Sequence, residues 1–498
     1  MAFLLEKICG RTIFLFLVLL LFAPYGVSLF LSQGRIGLPN DFQHLLGRSL
    51  LQAGMSGIVA TFAGLLGAGF LLRVSNYRSS FWEGLALFPA VIPSAIMVLG
   101  LLDFVPHWRG LWAIAAAHAL ISSGFIAVVL SRVIRDRLGA SLELAWVEGA
   151  GGLLMWRHGV LPRLIPQLFY VWLTVFVSSL GSFAVPLLLG GSQAFTFEIA
   201  IHQAIRLHGA WEVAAGLSVF QLFLMVFSLL LFQRLQGGEL STVSRPRESM
   251  SRQGVARILG FTWSVPILFA GTAVSLFSLL RDPILGWRQL RSTGLFENLD
   301  VLVLAFQGSF ATAAISGCLT GAVLLIAAAS LPSPRMRRWM KAYVAPSVAL
   351  TGFSTLILGW GSPPSFNWDV LRISLGASML FGPIIWRLRW ADEVEQLQGA
   401  VLVAQTLGAN SNLIISRILL PQLISTSFWS AGIVAFWVWG DYAIGSIVAS
   451  RNMTLGLVAK SLMESYRLEA AALLLIFILV AGALTYRLFT WGGSIVHR

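Results

Sequence analysis

Apolar runs of membrane-spanning length recur along this whole chain, and they restrict its fold more than any single motif. A helix needs about 20 apolar residues to cross the hydrocarbon core, where no water is present to satisfy an open backbone. Twelve such stretches can be read, at about 12–32, 50–73, 82–104, 110–132, 167–190, 211–233, 258–280, 302–330, 340–361, 368–388, 421–448 and 468–489. The expected fold class is an all-α polytopic membrane protein with about twelve transmembrane helices. Composition agrees, since 57% of the 498 residues are hydrophobic and 11% charged, against about 25% charged in a soluble domain. The first run follows Lys7 and Arg11 as a secretory signal would, but its apolar part extends from Thr12 to Leu31 without a small-x-small cleavage site. It reads as a spanning helix.

The net charge of +13 could suggest nucleic-acid binding, but the 34 basic residues fall in short clusters between the apolar runs. That distribution points to Arg-rich cytoplasmic helix ends in contact with a lipid bilayer, and to no nucleic-acid partner. With the N-terminus inside, 23 basic residues are cytoplasmic and 11 lie outside, so both termini are expected in the cytoplasm. The polar segment at 235–255, with Gly237-Gly238 and several serines, reads as a cytoplasmic linker. It divides the chain into two six-helix halves, 1–234 and 256–498. The two cysteines, Cys9 and Cys318, can build neither a disulfide framework nor a four-ligand zinc site.

The long loops after the fourth and tenth runs superpose at one gapless offset of about 259 residues. Gly149-Ala150 falls on Gly408-Ala409, Leu161-Pro162 on Leu420-Pro421, Gly181 on Gly440, and Phe183-Ala184 on Tyr442-Ala443. Gly and Pro rarely coincide at one offset by chance, so the halves read as duplicated copies. An even number of spans per copy makes the repeats parallel, an arrangement that suits a transporter.

The first loop reads Glu143-Leu144-Ala145-Trp146-Val147-Glu148-Gly149, then twelve residues, then Pro162; the second reads Val403-Ala404-Gln405-Thr406-Leu407-Gly408, then twelve residues, then Pro421. Both resemble the E-A-A-x-x-x-G loop, with its distal L-P, of permease subunits of bacterial ATP-binding-cassette importers. Glu143, Ala145, Gly149, Leu161 and Pro162 match in the first copy; Ala404, Gly408, Leu420 and Pro421 match in the second. Leu144 and Val403 each replace one Ala, and Leu402 stands where the acidic residue is expected. The resemblance implies short helices along the cytoplasmic face, one of which docks on an ATPase subunit. It also implies two such ATPase subunits and a periplasmic or lipid-anchored solute-binding protein as partners. A glycine permits a sharp turn between short helices, and a proline is harmless in the first turn of a helix.

Beyond the first loop, the stretch from Ser178 to Gly191 and on to Ile205 resembles the thiamine-permease branch, with the two-domain iron(III) permeases next. Candidate pathway residues are Ser182 and Phe183 in the first half and Trp437, Trp439, Asp441 and Tyr442 in the second. A carboxylate among Trp and Tyr could attract an organic cation. The alternative is an Asp at the outer surface, or paired to Arg451, beside an interfacial Trp belt. Glu198, His202 and Arg206 recur every four residues and read as a solvated helix face, since one Glu and one His make too few ligands for a metal site.

Several chemistries are excluded. None of the three lysines completes a G-x-x-x-x-G-K-[ST] loop, and there is no H-E-x-x-H, G-x-S-x-G or Asp-Asp pair. The expectation is a transport permease subunit, not an enzyme, with no cofactor and no metal. A twelve-helix secondary transporter is the first rival and needs coupling acids or bases within its spans, for which Asp441 is the one clear candidate; a non-transporting membrane scaffold is the second.

Overall fold

A computed structural model describes residues 30, 32–73, 76–138, 144, 145, 147–149, 155–191, 196–236, 264–293, 299–329, 365–449 and 453–496. Among the described residues the regular structure is entirely helical. Six helices there are long and apolar enough to cross a membrane, or up to eight if each of two bent pairs is one span. They are Phe42–Arg73, Leu111–Val133, Arg157–Leu180, Asp300–Ala328, Asn412–Trp439 and Leu468–Ile495. The expected run at 340–361, and that at 12–32 except residues 30 and 32, lie outside the described residues.

One expected straight span is broken and another ends at a sharp bend, each for a local reason. Phe81–Val91 and Ser94–Phe104 meet at 88°, where Pro93 removes an N–H and forces Ile92 away from helical geometry. Val265–Leu279 and Pro283–Ser292 meet at 59°. There Asp282 caps the second helix, its Oδ1 accepting from the N–H groups of Ile284 (2.8 Å) and Leu285 (3.2 Å), and Pro283 occupies the first turn. The expected spans 167–190 and 421–448 are likewise each two pieces, Leu161–Leu180 with Ala184–Leu189 and Leu420–Trp439 with Ala443–Val448.

The chain forms two compact units, and each draws on both halves of the sequence. One consists of 41–199 with 224–281, the other of 1–40, 200–223 and 282–498. Val265–Leu279, the first apolar run after the linker, therefore packs in the same unit as residues 41–199. In that unit Thr272 Oγ1 donates to the Leu85 carbonyl at 2.7 Å, and Arg281 pairs with Asp103. At the other end of the bent pair, Arg132 pairs with Glu83 at 2.6 Å. The two ion pairs thus bring the start of the run at 82–104 to the end of Leu111–Val133 and its end to the end of Val265–Leu279.

Packing inside each unit relies on small residues. The buried face of Phe42–Arg73 includes Ala53, Gly57, Ala60, Gly64, Gly67 and Ala68, and a Cβ at Gly64 would fall on the Ile126 side chain. In the other unit Gly317 and Gly321, one turn apart, lie against Ala431 and Ser427. Lipid tails are as apolar as leucine, so spanning helices gain by close backbone approach rather than by bulk hydrophobicity.

Candidate functional site

The duplication inferred from Gly and Pro is repeated helix by helix. Leu161–Leu180 and Leu420–Trp439 begin and end at the same offset of 259 residues (161 to 420, 180 to 439), and so do Ala184–Leu189 and Ala443–Val448. Ahead of each lies a glycine in the left-handed region, Gly149 at φ +88° and Gly408 at φ +82°. No neighbouring atom lies within 4 Å of where a Cβ would stand at either position. Backbone conformation, not space, therefore requires glycine there.

The second loop shows why the motif spaces Ala and Gly by four. Helix Ala391–Thr406 ends with the Ala409 N–H donating to the Ala404 carbonyl (2.9 Å) and the Gly408 N–H to the Gln405 carbonyl (3.0 Å). This is a Schellman closure, in which the glycine just past the helix end takes positive φ so that the last carbonyls find donors. Asn410 then opens the next short helix, its Oδ1 accepting from the Leu413 N–H at 2.9 Å. In the first loop Ala145 and Gly149 hold the same spacing, and the Glu148 N–H donates to the Leu144 carbonyl at 3.0 Å, as the Leu407 N–H does to Val403 at 3.1 Å. Glu143 lies outside the described residues.

Both loops present apolar side chains outward. Leu144, Val147 and Leu161 are exposed in the first, and Leu402, Val403, Leu407 and Leu413 in the second, with Val147 at 78% and Leu407 at 81%. A patch of this kind marks a surface that another protein or the bilayer covers.

The loop prolines differ in one respect from the expectation of a fresh helix start. Pro162 and Pro421 sit one residue inside their α-helices, but the chain is already helical before them as π-turns at Met155–Val160 and Ile415–Leu419. The Leu420 N–H reaches back five residues to the Ile415 carbonyl, and this widened turn relieves the clash a proline ring makes with the carbonyl four residues back. Two further π-turns, Ile134–Leu138 and Trp386–Trp390, close the helices that lead into the loops. All four π-turns among the described residues therefore flank the two loops.

Side chains tie the second loop to its spanning helix. Glu393 accepts from Arg389 Nε at 2.5 Å and from the Thr426 hydroxyl. The Trp390 indole donates to Ser430 at 2.7 Å, and the Arg389 guanidinium lies 5.0 Å from the Trp429 ring centroid.

The candidate pathway residues divide. Trp439 and Tyr442 are each 1% exposed; Trp439 packs on Phe306 and donates to Thr485 Oγ1 at 2.9 Å. Trp437 packs against Phe381 with the rings tilted at 44° and their centroids 5.1 Å apart. The carboxylate of Asp441 accepts from the Ile444 N–H at 3.0 Å, at the start of Ala443–Val448; Arg451 lies outside the described residues. Phe183 is buried. Ser182, at the repeat position of Asp441, meets His118 Nε2 at 2.9 Å. His118 is a buried ionisable residue inside a span, as are Asp369 and Arg372, which pair at 3.1 Å. An ionisable residue within an apolar run was the available signal for all three, so Asp441 is not the only such group. Glu198 is 1% exposed, so the face it shares with His202 is not the solvated one expected. Among the described residues no group of three or more His, Cys, Asp or Glu could hold a metal.

A duplicated helical chain with an exposed loop ahead of a spanning helix in each copy has the build of a transport permease. Its relatives agree. The chain is 30% identical over 175 residues (32% of this chain, 61% of the relative) to the putrescine transport system permease protein PotI of Escherichia coli (strain K12). It is 26% identical over 231 residues (42% of this chain, 32% of the relative) to the ferric transport system permease protein FbpB of Actinobacillus pleuropneumoniae. A putative ferric transport system permease protein, FbpB 1 of Haemophilus influenzae, matches equally, with 35% of its length covered. The chain thus spans less than two thirds of the length of each of these relatives. No protein-family model and no solved structure matches it. These relatives are transport permease subunits, not enzymes, and the chain is homologous to permeases of the importer class that its loops resemble.

Proposed function

We propose that this chain is the fused permease of an ATP-binding-cassette importer in a bacterial inner membrane, with both termini cytoplasmic. It moves a small solute into the cytoplasm; the names of its relatives point to a polyamine or a ferric solute, and the resemblance of its first half to a thiamine-like or iron(III)-like one. The carrying observation is the matched loop geometry: an exposed apolar rim around a positive-φ glycine, joined by a π-turn to a spanning helix, at one offset in both copies. Two ATPase subunits dock on these rims, and a periplasmic or lipid-anchored binding protein delivers solute to the opposite face. ATP-driven closure of the ATPases shifts an inward-open to outward-open equilibrium, to the extent that ATP and solute bind the two states unequally. Glu143, Ala145, Gly149, Leu161 and Pro162, with Ala404, Gly408, Leu420 and Pro421, form the coupling loops. The sequence halves 1–234 and 256–498, joined by the linker at 235–255, supply the two sides of the path.

Purification of the tagged chain from its native membranes tests this reading. An ATPase subunit is expected to accompany it, and uptake in proteoliposomes is expected to require ATP. Uptake by the isolated chain driven by a proton or sodium gradient alone would instead establish a secondary carrier.

A further inference from the structure

The unit built from residues 41–199 and 224–281 contains a buried polar series that the coupling loops do not use. Gln52 and Ser56 are fully buried on Phe42–Arg73, and His118 is nearly so on Leu111–Val133. The series ends at Ser182, which is half-buried in the break between Leu161–Leu180 and Ala184–Leu189.

Its hydrogens can be placed one after another. Ser56 Oγ lies 2.8 Å from the Gln52 main-chain carbonyl, which can only accept, so the hydroxyl proton is committed there. Ser56 Oγ must then accept from the Gln52 amide, whose Nε2 is 3.1 Å away. The same Nε2 lies 2.9 Å from His118 Nδ1. Facing a donor, Nδ1 is the acceptor, and the neutral imidazole carries its proton on Nε2. That nitrogen is 2.9 Å from Ser182 Oγ and donates to it. The Ser182 O–H is left pointing elsewhere, and among the described residues nothing accepts it. At the head of the series Gln52 Oε1 is buried with no partner. An orphaned buried acceptor is costly, and here it accompanies an amide whose two protons are both spent on orienting the serine.

Ser182 stands at the end of its spanning helix remote from the coupling loop. The 20 residues of Leu161–Leu180 span about 30 Å at 1.5 Å per residue, the full hydrocarbon thickness.

We propose that Ser182 is a solute-contact residue of the first half, positioned by His118, Gln52 and Ser56 so that its hydroxyl donates to an acceptor oxygen of the incoming solute. The proposal deepens the permease reading and rests on it. It predicts a solute that carries oxygen acceptors, in carboxylate, carbonyl or hydroxyl groups; a polyammonium ion, whose polar groups are all donors, would leave the Ser182 proton unpaired and meet only the remaining lone pair of Oγ. Asp441, at the same repeat position, makes a different contact, its carboxylate accepting from the Ile444 N–H at the start of Ala443–Val448.

The test uses the complete importer in cells that encode it, with ferric citrate as the oxygen-bearing probe and putrescine as the polyammonium probe. Ferric citrate is expected to be taken up and putrescine not. Ser182→Ala is expected to raise KM about tenfold, the loss of one charge-assisted hydrogen bond, with little change in the maximal rate. His118→Ala should match it, the double variant should add nothing, and His118→Gln, which keeps a donor near the Nε2 position, should recover most of the affinity. Putrescine uptake without ferric citrate uptake overturns the proposal, as does a wild-type KM in Ser182→Ala. A reduced maximal rate with unchanged KM assigns His118 and Ser182 to structure alone and overturns it as well. Failure of the permease reading has a different signature, in which no ATPase subunit accompanies the wild-type chain and neither probe shows ATP-dependent uptake; that outcome overturns both.

Discussion

Where both are described, the two loops turn alike and differ in their side chains. Gly149 and Gly408 have nearly the same φ, and each precedes a π-turn and a proline-bearing helix at one offset. The second copy has Leu402 where the first has Glu143, yet its helix Ala391–Thr406 is held to Leu420–Trp439 through Glu393, Thr426, Trp390 and Ser430. The comparison teaches that the duplicated element is the turn and its attachment, while the chemistry that stiffens each loop has been free to change.

The largest effect that could break this comparison is one of sidedness. Reporters fused after Arg137, Ser249 and Arg338 are expected to read as cytoplasmic, and those after Arg109, Arg291 and Arg451 as external. An external reading after Arg137 would place the first loop on the wrong face for an ATPase.

Next comes the pair of glycines. A β-branched residue at positive φ costs about 1–3 kcal/mol of backbone strain, so Gly149→Val with Gly408→Val is expected to abolish transport while membrane insertion stays normal. Uptake in proteoliposomes beside co-purification of ATPase checks it. Gly408→Asn, which tolerates the left-handed region, should retain most activity. Of the single valine variants Gly149→Val should be the more damaging, since the first copy keeps Glu143. Equal losses would show that Glu143 adds nothing to coupling.

Removing an anchor should act on one loop alone. Thr426→Val leaves a Glu393 oxygen without its hydroxyl partner, and a loss of a few-fold in solute-stimulated ATP hydrolysis is expected, as about 1–3 kcal/mol of buried hydrogen bonding disappears. Site-specific crosslinking from Leu407 to the ATPase should weaken while crosslinking from Val147 persists.

The smallest effect is expected at Asp441. Asparagine caps a helix nearly as well as aspartate, so Asp441→Asn should change uptake by less than about twofold. Asp441→Ala should lower thermal stability by about 1 kcal/mol. A large uptake defect in Asp441→Asn with unchanged stability would return this carboxylate to the solute path.

Much of this molecule is written in residues that act on their own neighbours. Apolar runs announced the helices, because a chain in hydrocarbon must satisfy its backbone within each segment. Glycines four residues after an alanine announced the turns, and prolines the entry to the next helix. The same local chemistry explains two departures: Pro93 breaks the expected run at 82–104, and the Asp282-Pro283 pair starts a separate helix just past the end of the expected run at 258–280.

By itself, then, the sequence determined the helical class, the duplication, the position of both loops and the need for glycine at their turns, because propensity, backbone dihedrals and apolar length are properties of a few consecutive residues. Only the tertiary structure decided which side chains act together. Gln52 and His118 meet across 66 residues and His118 and Ser182 across 64, Trp439 and Tyr442 are withdrawn into helix packing, and Val265–Leu279 joins the unit of residues that precede the linker. Such pairings depend on which helix faces are pressed together. That is fixed by small-residue contacts distributed over several spans, and no local stretch of sequence contains both partners.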